Sequence, residues 1–110
     1  MMEQGKKFLS DILRAIELIE SFVPELMTYS DFVSDLKTQS AVERQLGIIG
    51  EAVNKFEFLT QDISINHARK IVGLRNRLIL AYDAIDSSIV WVIIKKHLIP
   101  LKEEVLEMLQ

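Results

Sequence analysis

The 110-residue chain has no cysteine, which excludes a disulfide framework and thiolate chemistry and is compatible with a reducing compartment. Only four glycines and two prolines are present, so turn signals are few and a many-turned β architecture is disfavoured. Histidine is nearly absent as well. His67 and His97 stand alone, outside any His-x-x-x-His or His-Glu-x-x-His spacing, and both read as surface or satisfied structural residues; no metal site and no cofactor are expected. No glycine-rich loop leads into a helix from a strand, which speaks against a nucleotide-binding loop. Glu51 and Glu57 have no partner carboxylate to make an acid/base pair. Long apolar runs are missing too: the longest, Ile89 to Ile94, is far short of a membrane span. Met1 to Lys7 leads into an amphipathic pattern and not a signal-peptide core. The expectation is a soluble cytoplasmic protein without a membrane segment.

What is present is ordinary for a globular chain. Hydrophobic residues make up 49% and charged residues 26%, enough to bury one core, so residues 1–110 are expected to form a single domain. The formal charge of −3 argues against bulk affinity for nucleic acid, because counterion release needs clustered lysine and arginine. The distribution is more informative than the sum. From His67 to Leu80 there is no acidic residue, while Arg69, Lys70, Arg75 and Arg77 all fall there. A solvated helix face is the usual meaning of such a cluster; a phosphate-binding patch needs support from elsewhere.

Apolar periodicity points to helices throughout. Phe8, Ile12, Ala15, Ile16 and Ile19 recur at helical spacing and predict a helix of about four to five turns that ends before Pro24. Asp31 to Leu36 reads as a short helix or as the first turns of the next one. Ser40 with Glu43 three residues on reads as a capping box, followed by the stripe Val42, Leu46, Ile49, Val53 and Phe56. Gly47 and Gly50 lie inside that helix at about 1 kcal/mol each relative to alanine, and close approach of another helix is the simplest compensation. Phe58 to Ile65 reads as a loop, with Ser64 or Asn66 capping a third long helix along Ile71, Leu74, Leu78, Ile79 and Tyr82. Asp86-Ser87-Ser88 is placed to cap a fourth, carrying Val90, Trp91, Ile94 and Leu98, which Pro100 should end or kink. Leu101, Val105 and Met108 continue an apolar face. The pattern predicts an all-α, up-down bundle of four to five helices.

Within the third long helix, Arg75, Asn76 and Tyr82 are polar groups in an apolar setting. Tyr82 follows Arg75 by seven residues, about two turns, so the two positions share a face. Taken alone, this is a solvent-facing stripe between two core stripes. The run Arg75-Asn76-Arg77-Leu78-Ile79-Leu80-Ala81-Tyr82, however, resembles the signature of HEPN ribonucleases, in which an arginine, a polar residue and further spacers precede a histidine. The HepT-like branch adds a tyrosine two residues after that histidine. Ala41-Val42-Glu43-Arg44-Gln45-Leu46-Gly47-Ile48-Ile49-Gly50-Glu51-Ala52 resembles the second-helix signature of the same branch. Ile71-Val72-Gly73-Leu74 and Ile89-Val90-Trp91 also fit, so the likeness covers nearly the whole chain in order.

The resemblance implies a HEPN-like fold and a toxin that is a metal-independent RNA endonuclease. In such toxins the 2′-hydroxyl attacks the adjacent phosphate, histidine moves protons and arginine stabilises the phosphorane. Carried over, Arg75 neutralises the scissile phosphate, Asn76 positions it or the arginine, and Arg69, Lys70 and Arg77 guide the RNA backbone. The implied partners are a second copy, in a homodimer that assembles the site, and a minimal nucleotidyltransferase antitoxin that transfers AMP to Tyr82. One departure is serious. Four residues follow Arg75 before the position expected to hold histidine, and that position is Leu80. Leucine moves no proton, which removes on the order of 10²–10⁴ in rate. An inactivating change made so that a toxic protein could be produced, or a natural loss of catalysis, would account for it. The alternative from another class is a non-catalytic subunit that holds RNA or nucleotide beside a nucleotidyltransferase. A plain helical dimerisation module is the third.

Overall fold

The structure, a computed structural model, describes residues 2–80 and 86–110, the side chains of 78–80 excepted. Among these residues six α-helices follow one another: α1 (Glu3–Phe22), α2 (Tyr29–Val33), α3 (Leu36–Thr60), α4 (Ala68–Leu80), α5 (Ser87–Val92) and α6 (Leu98–Leu109). A π-helical turn, Ile93–His97, joins α5 to α6, so Ser87 to Leu109 runs on as one rod. Five helical rods result among the described residues, and no strand occurs there: the fold is the all-α bundle that the apolar periodicity predicts, consistent with the HEPN-like fold that the resemblance implies.

α1 is amphipathic because Leu9, Ile12, Ile16 and Ile19 return every three or four residues, and all four are fully buried. Phe8, expected in that stripe, is only half-buried, and Leu9 takes the core position. α1 packs chiefly along α3 and also on α6; α3 receives α2, α4 and α5. Val42, Leu46, Ile49 and Phe56 of α3 are completely inaccessible, as are Phe32, Ile71, Ile93, Leu101 and Val105. Each such side chain contributes about 1.5–3 kcal/mol by leaving water.

Several boundaries differ from the sequence reading, each for a local reason. α3 starts at Leu36, with Asp35 as its N-cap. The Asp35 carboxylate accepts from the Thr38 hydroxyl at 2.6 Å and from the Thr38 N–H at 3.0 Å, and these bonds hold its pKa below the usual carboxylate range. Ser40 therefore lies inside the helix, and the Ser40–Glu43 capping box does not form; a capping box is found instead at Thr28 and Asp31, opening α2. α3 also runs three residues into the segment expected to be loop, ending at Thr60.

Neither Ser64 nor Asn66 caps α4 through its side chain. The backbone N–H groups of Asn66 and His67 both donate to the Glu104 carboxylate of α6, each at 2.8 Å. A cap supplied from 37 residues away in sequence satisfies orphan donors and places negative charge at the positive end of α4. We expect Glu104→Ala to cost about 1 kcal/mol, the usual magnitude for a lost cap. Thermal unfolding should read this as a fall of about 4–8 °C in midpoint, with Glu104→Gln milder because it keeps an acceptor.

Pro100 neither ends nor breaks its helix. Its ring and missing N–H disrupt the bond to the carbonyl four residues back, and the chain absorbs this by widening the preceding turn. The Leu98 N–H donates to the Ile93 carbonyl, five residues earlier, which lets the rod continue.

Candidate active site

α4 presents Ile71 to the core, where it is fully buried. Arg75 follows one turn later on the same stripe, so the helix that buries Ile71 also lays an arginine against α3. The place it occupies is made by glycine. A Cβ at Gly47 would sit 2.9 Å from Arg75 Nη2 and 3.4 Å from Nε, and one at Gly50 would lie 3.9 Å from Cδ. The compensation expected for these two glycines was a closely approaching helix. The atoms that fill the space belong to the Arg75 side chain, so the glycines cut a groove for a guanidinium.

The guanidinium makes no close polar bond among the described residues. Glu43 Oε1 is 3.9 Å from Nη2, outside the 2.7–2.9 Å or so of a charge-assisted hydrogen bond. Nε is buried and has no hydrogen-bond partner among the described residues. A buried donor left unsatisfied costs about 1–3 kcal/mol, a cost that a bound anion would relieve. Beside the arginine is an open groove of about 450 Å³ lined by Glu43, Arg44, Gly47, Ile48, Glu51 and Arg75. Glu51 is paired with Lys55 at 3.1 Å, and Glu57 accepts the Ile65 N–H to close the turn after α3.

The remaining basic residues point elsewhere on α4. Arg69, Lys70, Asn76 and Arg77 are all exposed. Arg69 Nη2 donates to Ser64 Oγ at 3.0 Å. Asn76 follows Arg69 by seven residues and Arg77 follows Lys70 by seven, so these residues form two adjacent stripes on the solvent side. Gly73 sits between them, and apart from its own helix backbone nothing among the described residues lies within 4 Å of where its Cβ would be. Arg75 and Asn76 are thus on different faces, the first in the groove against α3 and the second outside it. Leu80 is the last residue of α4, but its side chain falls outside the described residues, as does the whole of Tyr82. Asp86, whose carboxylate accepts from the Ser88 hydroxyl and the Ser88 and Ile89 N–H groups, caps α5 as its sequence suggests. Those bonds, the one from the Ser88 hydroxyl foremost, hold its pKa down, with burial opposing and the charge of Arg77 assisting.

The sequence reading missed Glu43 and Arg44 as groove residues. Glu43 was spent on a capping box, yet Glu43 and Gly47 are one turn apart with Gly50 close behind. An acidic residue one turn ahead of an otherwise costly glycine is the signal that could have found it.

Burial first, then the positive charges of Lys70, Lys96 and His67, push the pKa of His97 below its ordinary value of 6.5. His97 therefore resists protonation in the fold. The unfolded chain takes up that proton first, so stability is full above pH 6.5 and is lost as pH falls from there toward the depressed folded value. Unfolding midpoints measured from pH 7.5 to 5 should show this loss, and His97→Gln should flatten it.

No group of three or more histidine, aspartate or glutamate side chains able to hold a metal occurs among the described residues, and no helix there is long and apolar enough to cross a membrane. The family model described as "Ribonuclease HepT-like" matches residues 12–108. A protein of Thermococcus cleftensis named "Probable ribonuclease HepT" is 41% identical over 106 residues, covering 93% of each chain. A "Putative RNase" of Caldanaerobacter subterraneus is 32% identical over 113 residues, covering 99% of this chain and 97% of that protein. No solved structure matches. With the matched segment running from α1 to the end of α6, the chain belongs to the HepT-like ribonuclease family.

Proposed function

We propose that this chain is the toxin subunit of a HEPN/nucleotidyltransferase pair, built to cleave RNA through Arg75 and impaired in this copy by Leu80. The observation that carries the reading is the Arg75 guanidinium in its glycine groove, with Nε unpartnered among the described residues and Glu43 too distant to take up its donors. Such a group supplies charge and hydrogen bonds to a phosphate and to the more highly charged phosphorane, without first breaking strong bonds of its own. In the reaction, the ribose 2′-oxygen attacks the adjacent phosphorus, its proton leaves to a base, and the 5′-oxygen departs with a proton from an acid. Arg75 neutralises the equatorial oxygens. Asn76, Arg69, Lys70 and Arg77 hold the backbone on the exposed side of α4.

Positions 75 and 80 are about 140° apart round the helix, so they do not share a face within one copy. Position 80 lies one turn after Asn76, on the exposed side. A homodimer that sets two α4 faces together would bring one copy's proton-transfer position toward the other's arginine, and Gly73 leaves room for that approach. The antitoxin partner would be a minimal nucleotidyltransferase: the phenolic oxygen of Tyr82 takes AMP from ATP, pyrophosphate leaves, and the added phosphate competes for Arg75. Leu80 favours a second reading, a non-catalytic subunit that holds RNA or nucleotide for its partner, because leucine carries no proton. Cleavage of RNA by the Leu80→His variant separates the two.

A further inference from the structure

We infer that Glu43 is the positioning residue for Arg75 and also the group that limits how tightly the groove holds a phosphodiester; the second part rests on the RNA reading above. Three observations lead there. The carboxylate stands 3.9 Å from Nη2, close enough to attract the guanidinium but too far to take one of its hydrogen-bond donors. Arg75 is its ion-pair partner among the described residues, and the two side chains are 26% and 31% exposed, so solvent screens the pair only in part. Finally, Glu43 and Gly47 are one turn apart on α3, and a Cβ at Gly47 would stand 2.9 Å from the same Nη2. The glycine therefore opens the seat and the glutamate keeps the arginine in it.

The arrangement has a consequence for binding. Glu43 offsets the charge of Arg75 and sets its direction, while Nε has no partner among the described residues. A phosphodiester arriving at Arg75 brings a second negative charge close to Glu43, and like charges at that range repel. Glu43 thus gives geometry and withholds affinity. RNA is held weakly enough to exchange, against an arginine already aimed. Arg44, on the rim of the same groove, stays a distinct cation because it is one position along α3 and about 100° away round the helix.

Glu43→Gln keeps the shape and removes the charge, and two measurements on the chain as it stands read its effect. The first uses no RNA. The Nε–Hε resonance of Arg75, identified by its loss in Arg75→Lys, should shift and exchange faster with water in Glu43→Gln, and Glu43→Asp should restore it in part. An unmoved resonance overturns the positioning role, whatever happens to RNA. The second is fluorescence anisotropy with a short single-stranded RNA of mixed sequence. Glu43→Gln should bind it about threefold to tenfold more tightly, the scale of a part-exposed charge pair, and the gain should vanish in an Arg75→Ala background. Unchanged or weaker binding, or a gain that persists without Arg75, overturns the affinity-limiting role. A resonance that moves while RNA binding ignores both residues upholds Glu43 as the positioning residue and defeats the RNA reading instead.

Discussion

Leu80→His is expected to gain RNA cleavage of about 10²–10⁴ over the chain as it stands, the usual worth of a positioned general acid or base. The gain should depend on pH with a limb near the ordinary imidazole value of about 6.5, because only one protonation state serves each role. It should also depend on Arg75. Arg75→Ala in the Leu80→His background is expected to lose about 10²–10³ of the new activity, the cost of removing one preorganised donor from developing charge. Cleavage of total cellular RNA, followed on denaturing gels with and without chelator, makes the measurement. Arginine-dependent products would establish that the scaffold lacks nothing but the proton carrier. No products would shift the assignment to the non-catalytic binding subunit, for which the exposed stripe of Arg69, Lys70, Asn76 and Arg77 would be the next surface to alter.

The second large effect is expected at a residue without a side chain. Gly47→Ala puts a methyl group 2.9 Å from Arg75 Nη2 and 3.4 Å from Nε, closer than those atoms can stay. The obstacle is the far end of a flexible side chain, so the guanidinium moves and the helix does not. In the Leu80→His background we expect cleavage to fall about 10²-fold, since a displacement near 1 Å of a catalytic group has that scale. Stability should not fall with it. Alanine is favoured over glycine in a helix by about 1 kcal/mol, which offsets the lost packing of the arginine. Gly50→Ala is the control: its Cβ would meet Arg75 Cδ at 3.9 Å, ordinary contact, so it should keep activity and gain stability. Melting curves beside initial rates test both. An active Gly47→Ala, or a Gly50→Ala that is equally damaged, would show that the groove does not set the arginine's position.

Much of the fold was legible in the chain because burial follows periodicity. Ile12, Ile16 and Ile19, and Leu46, Ile49 and Phe56, are spaced as a helix requires, and each is fully buried. The caps were legible where they are local: Asp86 opens α5 by accepting hydrogen bonds from no more than three residues away. They were not legible where the acceptor is remote, as with Glu104, which belongs to another helix and carries no mark of its role. Ser40 shows the converse. Its spacing to Glu43 satisfies the capping-box pattern, but Asp35 with Thr38 nucleates the helix earlier, and Glu43 is left free to face Arg75.

The site divides in the same way. Arg75 and its motif stand in the chain as a run of residues, so the family, and the arginine proposed here to meet phosphate, follow from order along the sequence. That Arg75 lies in a groove is a property of two helices meeting. The depth of that groove comes from Gly47 and its charge from Glu43, both on α3, about thirty residues before the motif. Order along the chain determined which residue types were available and which faces they share, because helical geometry ties spacing to direction. Only the packing of α4 on α3 decided that Arg75 Nε has no partner among the described residues, because that depends on distances between elements, which no spacing within one helix encodes.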